Sequence, residues 1–155
     1  MSFKTVLSIG CLALLTACSS TAPNPGNNTA AASENTDALG LKRVWMLDEW
    51  PGFTREQLLS AKAKMDLTNL PRGSAFMGCN YMMFQAEAAN PNQAESRLKI
   101  GPVAATRKLC MDNMDLELAF GSRINEFTDY RLEGHRLILR NAKGETVRFV
   151  AQDWD

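Results

Sequence analysis

A single stretch of this chain carries a long helical period, and short strand-like segments surround it. Leu116, Phe120, Ile124 and Phe127 recur at helical spacing, with Glu117 and Arg123 off that stripe. They predict a helix from Asn113 to about Phe127, capped by Asp112. Upstream, Leu41 to Trp50 has apolar residues on both faces and reads as a strand buried on both sides. Thr54-Arg55-Glu56-Gln57 has the form of a capping box opening a short helix. Ala63, Met65 and Leu67 alternate along a strand, and Pro71-Arg72-Gly73-Ser74 signals a turn. Ala75 to Ala88 reads as one long extended stretch, with Gly78 as a bulge or kink and Met82, Phe84, Ala86 and Ala88 on one face. Arg97 to Gly101 is a short strand. Downstream, Tyr130–Leu132, Arg136–Arg140 and Glu145–Val150 are strands joined by turns at Glu133-Gly134 and Asn141–Gly144. Strands before and after one helix predict an α+β fold with an antiparallel sheet. A doubly wound parallel sheet would need crossover helices that are missing here.

The amino terminus sets the address. Lys4 is followed by an apolar run from Val6 to Leu15, and small residues precede Cys18. This is the layout of a secretory signal, and the run falls well short of the ~20 residues that span a bilayer. Leu15-Thr16-Ala17-Cys18 resembles the lipobox of bacterial lipoproteins. The resemblance implies cleavage after residue 17, a thioether-linked diacylglycerol on Cys18 and a further acyl chain, such as palmitate, on the new amino terminus. Two or three acyl chains anchor a protein almost irreversibly, at ~0.8 kcal/mol per buried methylene. Ser19, rather than Asp, follows the cysteine. By analogy with lipoprotein sorting this implies the outer membrane, with the periplasmic or surface face left open.

Residues 18–39 are rich in Ser, Thr, Ala, Asn and Pro and have no apolar period. Such a segment buries too little to offset its ordering entropy and is expected to act as a flexible tether, on average ~25 Å long. The folded domain is expected to span residues 40–155. Seventeen basic residues balance seventeen acidic ones, so nothing in the charge points to nucleic acid.

Four cysteines have separate prospects. Cys11 leaves with the signal and Cys18 is lipidated. Cys79 and Cys110 remain as an even pair in an oxidising compartment, which predicts a disulfide. They lack the C-x-x-C spacing of a redox exchanger, and no second pair completes a zinc site, so neither a metal nor a cofactor is expected.

Gly78-Cys79-Asn80, Ile100-Gly101-Pro102, Ala105 to Cys110, Met114, Leu116-Glu117 and Tyr130 to Gly134, followed by Leu137-x-Leu139 and Gly144, form an ordered set. The set resembles the META domain, also called the HslJ-like family, from about Leu41 to the end of the chain. The resemblance implies a compact α+β domain of envelope or secreted proteins, in which a curved, partial-barrel-like antiparallel sheet packs on one main helix. It implies no enzymatic activity, and it connects some members with heat or antibiotic stress.

Catalytic groups are sparse. A Ser-His-acid triad would need the only histidine, His135, which sits in a turn, and no Gly-x-Ser-x-Gly element is present. Asp112 with Asp115, and Glu117 with Glu126, read as solvated charge on a helix surface. Asn80, Thr106 and Arg107 form the candidate binding face, where a guanidinium would fork onto a carboxylate or phosphate. On the other reading, Asn80 and Thr106 bond local backbone and tie two loops together. Met65, Met77, Met82, Met83, Met111 and Met114 fit either the core or an adaptable apolar surface. The expected function is that of a non-enzymatic envelope lipoprotein, membrane-bound through its anchor. It would support outer-membrane integrity or stress tolerance by binding an envelope protein or lipid. The alternatives are a carrier of a small ligand or lipid, and an inhibitor of a foreign hydrolase such as a lysozyme or protease.

Overall fold

The computed structural model describes residues 40–154. The expected signal peptide, Cys18 and the expected tether lie outside the described residues.

The described chain runs β1 (Val44–Glu49), α1 (Arg55–Ala61), β2 (Lys64–Asp66), β3 (Arg72–Phe76), β4 (Tyr81–Ala88), β5 (Glu95–Ile100), β6 (Ala104–Ala105), α2 (Met114–Arg123), β7 (Phe127–Glu133), β8 (Arg136–Asn141) and β9 (Thr146–Ala151). Every pairing is antiparallel, and neighbours follow the order β3-β2-β1-β9-β8-β7-β5-β4-β6. β3 also pairs with β4, from Arg72↔Gln85 to Phe76↔Tyr81. That ladder joins the two ends of the sheet, so eight of the nine strands close into a barrel. The expected partial barrel is therefore corrected to a closed one. Closure leaves those eight strands without a free edge. β4 makes it possible by dividing its second edge, pairing Ala86–Ala88 with β5 and Met82–Met83 with β6.

Strand alternation sends Trp45, Leu47, Met65, Met82, Phe84, Leu98, Leu137, Leu139, Val147 and Phe149 inward, all buried. A barrel of eight strands has an interior that side chains alone can fill. The helix stripe read from the sequence completes this core. Phe120 of α2 lies with its ring centroid 6.2 Å from Trp50 and 5.9 Å from Phe84, while Trp50 meets Phe127 edge-on at 6.1 Å. Burying one such ring contributes ~2–3 kcal/mol. At α1 the capping box forms as expected. The Gln57 amide N–H donates to Thr54 Oγ1, and the Thr54 N–H donates back to Gln57 Oε1 at 2.8 Å.

Four expectations change. β1 buries only one face, because the barrel interior takes Trp45 and Leu47 while Val44, Met46 and Asp48 remain partly accessible. Arg72 and Gly73 belong to strand β3 rather than to a turn. The long extended stretch is a hairpin, broken at Gly78, whose φ of 113° is open to glycine and costly for other residues. The main helix is shorter than expected, starting after Asn113 in a left-handed conformation (φ 61°) without a side-chain cap bond, so Asp112 does not cap it. It ends at Arg123, and a 3-10 turn, Ile124–Glu126, leads into β7 at Phe127. Ile124 and Phe127 still face the core, one from a turn and the other from a strand.

Candidate functional site

The residues that stand out in sequence converge on a polar knot. Asn80, 4 % exposed, ends the β3–β4 turn, and Glu117, 6 % exposed, lies in the first turns of α2. The Asn80 backbone N–H donates to Glu117 Oε1, and its side-chain amide donates to Glu117 Oε2 at 2.9 Å. The same amide reaches the Lys108 carbonyl at 3.3 Å. Asn80 Oδ1 accepts from Thr106 Oγ1 at 2.8 Å and from the Lys108 N–H at 2.7 Å. Both faces of the Asn80 amide are thus satisfied, which is what a buried polar side chain requires.

A disulfide locks the same place. Cys79 and Cys110 are bonded, with Cα atoms 6.3 Å apart and a sequence separation of 31, inside the usual Cα range for such bridges. Beside them, a Cβ on Gly78 would come within 2.8 Å of the Asn113 Cβ, so glycine permits the hairpin turn to approach the start of α2.

Of the candidate binding face, Asn80 and Thr106 are brought together and turned to structural use. Local bonding, one of the two sequence readings, is the one observed. Arg107 is not part of the knot. It is exposed and enters none of the ion pairs among the described residues. Glu117, expected on the solvated helix face, is instead inside. Its carboxylate is the acceptor that Asn80 needs.

Outside the knot the chain forms a groove of about 540 Å³ between α2 and the segment 103–109. Met82, Val103, Ala105, Leu109, Met114 and Leu118 supply its apolar lining, and Arg107, Lys108 and Ser122 its polar rim. The Lys108 ammonium lies 5.7 Å from the centre of the Tyr81 ring, within cation–π range. Two apolar side chains of this lining stand largely free, Leu109 at 95 % and Leu118 at 66 % exposure, and Met111, two residues beyond Leu109, is 92 % exposed. Clustered exposed apolar side chains mark surfaces that meet something other than water.

The methionines divide between the two sequence readings. Met65, Met77 and Met82 are core, whereas Met83, Met111 and Met114 are exposed. Helical periodicity marks the buried stripe of α2 and does not single out Leu109 or Leu118. The available signal was Leu118 itself, a large apolar residue on the outward side of an amphipathic helix. Among the described residues, no three His, Cys, Asp or Glu side chains gather so as to hold a metal. His135 sits in the β7–β8 turn with its ring stacked on Trp154. No described helix is long and apolar enough to cross a membrane.

The META domain family matches residues 38–154. The chain belongs to the META domain family. Several of the short tags that carry its resemblance, Gly78-Cys79-Asn80, Thr106 to Cys110 and Glu117, are the residues of the polar knot and its disulfide. A protein from Burkholderia xenovorans whose structure was solved by NMR shares this fold with a TM-score of 0.56 at 20 % identity, over 90 % of this chain and 99 % of its own. A second protein solved by NMR aligns with a TM-score of 0.54 at 19 % identity, over 74 % of this chain and 92 % of its own. Both likenesses concern the fold. No match was found among curated proteins.

Proposed function

We propose that this META domain is a non-enzymatic binding module of the bacterial envelope, anchored to the outer membrane by acyl chains on Cys18, and that it engages an envelope component through the groove face. The observation that carries the reading is the exposed apolar surface of Leu109, Met111 and Leu118 beside Arg107 and Lys108. The polar knot supports it, because Asn80, Thr106 and Glu117 spend their hydrogen bonds on holding this face in shape. Support for outer-membrane integrity or stress tolerance would follow from such binding. A carrier that encloses its ligand within the barrel is less favoured, since Trp45, Phe120, Phe127 and Phe149 fill the interior.

The test is complementation of a deletion strain challenged with heat, detergent and hydrophobic antibiotics. Wild-type protein is expected to restore tolerance, and a Leu109→Ser/Leu118→Ser variant, folded and at equal abundance, is expected to fail. A deletion strain as tolerant as its parent, or full rescue by that variant, would refute the proposal.

A further inference from the structure

We infer that the loop tip bearing Leu109 and Met111, with Arg107 and Lys108 beside it, dips into the interface of the membrane that anchors the chain and engages anionic phospholipid headgroups. This rests on the anchored reading above and names the component that the groove face meets.

The geometry of the tip favours a lipid surface over a protein pocket. Cys110 turns inward to Cys79, and its two sequence neighbours, Leu109 and Met111, are left 95 % and 92 % exposed. Two apolar side chains this far exposed are both covered when they enter an interfacial layer of acyl chains. The disulfide fixes the loop in advance, so little ordering entropy remains to be lost on docking. Behind the tip, Val103, Met114 and Leu118 extend the apolar surface along the groove.

Charge gives the choice of lipid. Arg107 and Lys108 immediately precede Leu109, and cations just outside an apolar insertion are drawn to anionic headgroups. Asp112 follows Met111 and offsets one of the two charges, so the preference for anionic lipid should be moderate. The tether of residues 18–39 would join the domain at Gly40, beside Pro91 and at the end of β4 away from the loop, and its contour is long enough to let the loop reach the membrane, which makes even a weak contact effectively intramolecular.

Methionine oxidation tests this with an internal reference, because Met83, 61 % exposed, lies on β4 opposite Ala104 and outside the groove lining. The full-length acylated protein, its mass checked first for acyl chains, is reconstituted into vesicles of phosphatidylethanolamine and phosphatidylglycerol. It is pulsed with hydrogen peroxide and mapped by mass spectrometry. Relative to Met83, Met111 is expected to oxidise about tenfold more slowly than in phosphatidylcholine vesicles. The difference should vanish in Leu109→Ser and in Arg107→Ala/Lys108→Ala proteins. Equal ratios in both lipids, or protection that persists in these variants, would overturn the inference. So would protection found in native envelopes and not in protein-free vesicles, which would indicate a protein partner. A protein that proves not to be acylated fails the anchored reading, whereas an acylated protein with unprotected Met111 fails this inference alone.

Discussion

Glu117 takes both the backbone N–H and the side-chain amide of Asn80, a residue 37 positions earlier in the chain. One carboxylate thus fastens the start of α2 to the end of the β3–β4 turn, and the other end of the same amide holds the segment 106–108. These contacts shape one wall of the groove, so their loss should act on stability and on the binding face together.

Asn80→Ala should destabilise the domain by ~2–4 kcal/mol, since it removes a donor from the buried Glu117 carboxylate and leaves the Lys108 N–H unpaired. Urea denaturation measures the loss. Glu117→Gln should cost ~1–3 kcal/mol, because its amide would present a donor to a donor. In a double-mutant cycle the pair should couple by more than ~1 kcal/mol. Additive losses would show that the two residues act separately.

The disulfide closes a loop with a sequence separation of 31. Chain entropy assigns such a loop ~3–4 kcal/mol. Cys79→Ala/Cys110→Ala should therefore lower the thermal midpoint by several degrees, and reductant should do the same to the wild type. The variant itself should not respond to reductant.

Gly73 faces Phe84 across the β3–β4 ladder, and a Cβ there would clash with the ring at 2.8 Å and closer. The ring is buried and packed on Phe120, which limits its freedom to give way. Gly73→Ala should cost ~1–3 kcal/mol by overpacking. Phe84→Leu in the same chain should recover part of that loss. If Gly73→Ala alone leaves the urea midpoint unchanged, this account of β3 is wrong.

Tyr130 is held protonated by burial, which raises its pKa above the ordinary value of 10.0. Its hydroxyl donates to the Asn90 carbonyl at 2.7 Å and lies 3.2 Å from that of Gln93. A raised folded-state pKa favours the protonated, folded form. The contribution is therefore complete below the unfolded tyrosine value and disappears as pH rises through the folded one. Melting temperatures from pH 8 to 11 should fall above about pH 10. Tyr130→Phe should start ~1 kcal/mol less stable and show a shallower alkaline fall.

Sequence periodicity located most elements because alternation survives closure. Ala63, Met65 and Leu67 turn inward whether the sheet is open or shut. Closure itself was not legible, since it depends on the β3–β4 register and on how β4 divides its second edge between β5 and β6. The Pro71–Ser74 segment has turn chemistry, but Gly73 serves a strand by making room for the Phe84 ring. At the end of α2, the helical stripe continued through Ile124 and Phe127 although the helix did not, because a 3-10 turn and a strand can present those side chains to the same core. In the site, the sequence picked out Asn80, Thr106 and the cysteine pair, yet it assigned Glu117 to solvent. Nothing local marks a helix carboxylate that pairs with an amide from a distant turn. The exposed Leu109 was equally hidden, since exposure of a leucine in a loop is a property of the finished fold.

The most direct test of the central claim is the intact mass of the mature protein, extracted gently from its own membrane and measured under native conditions. The account predicts a chain beginning at Cys18 with three acyl chains, two hydrogens lighter for the Cys79–Cys110 bond, and retaining anionic phospholipid. A chain that starts elsewhere or carries no acyl groups would contradict it.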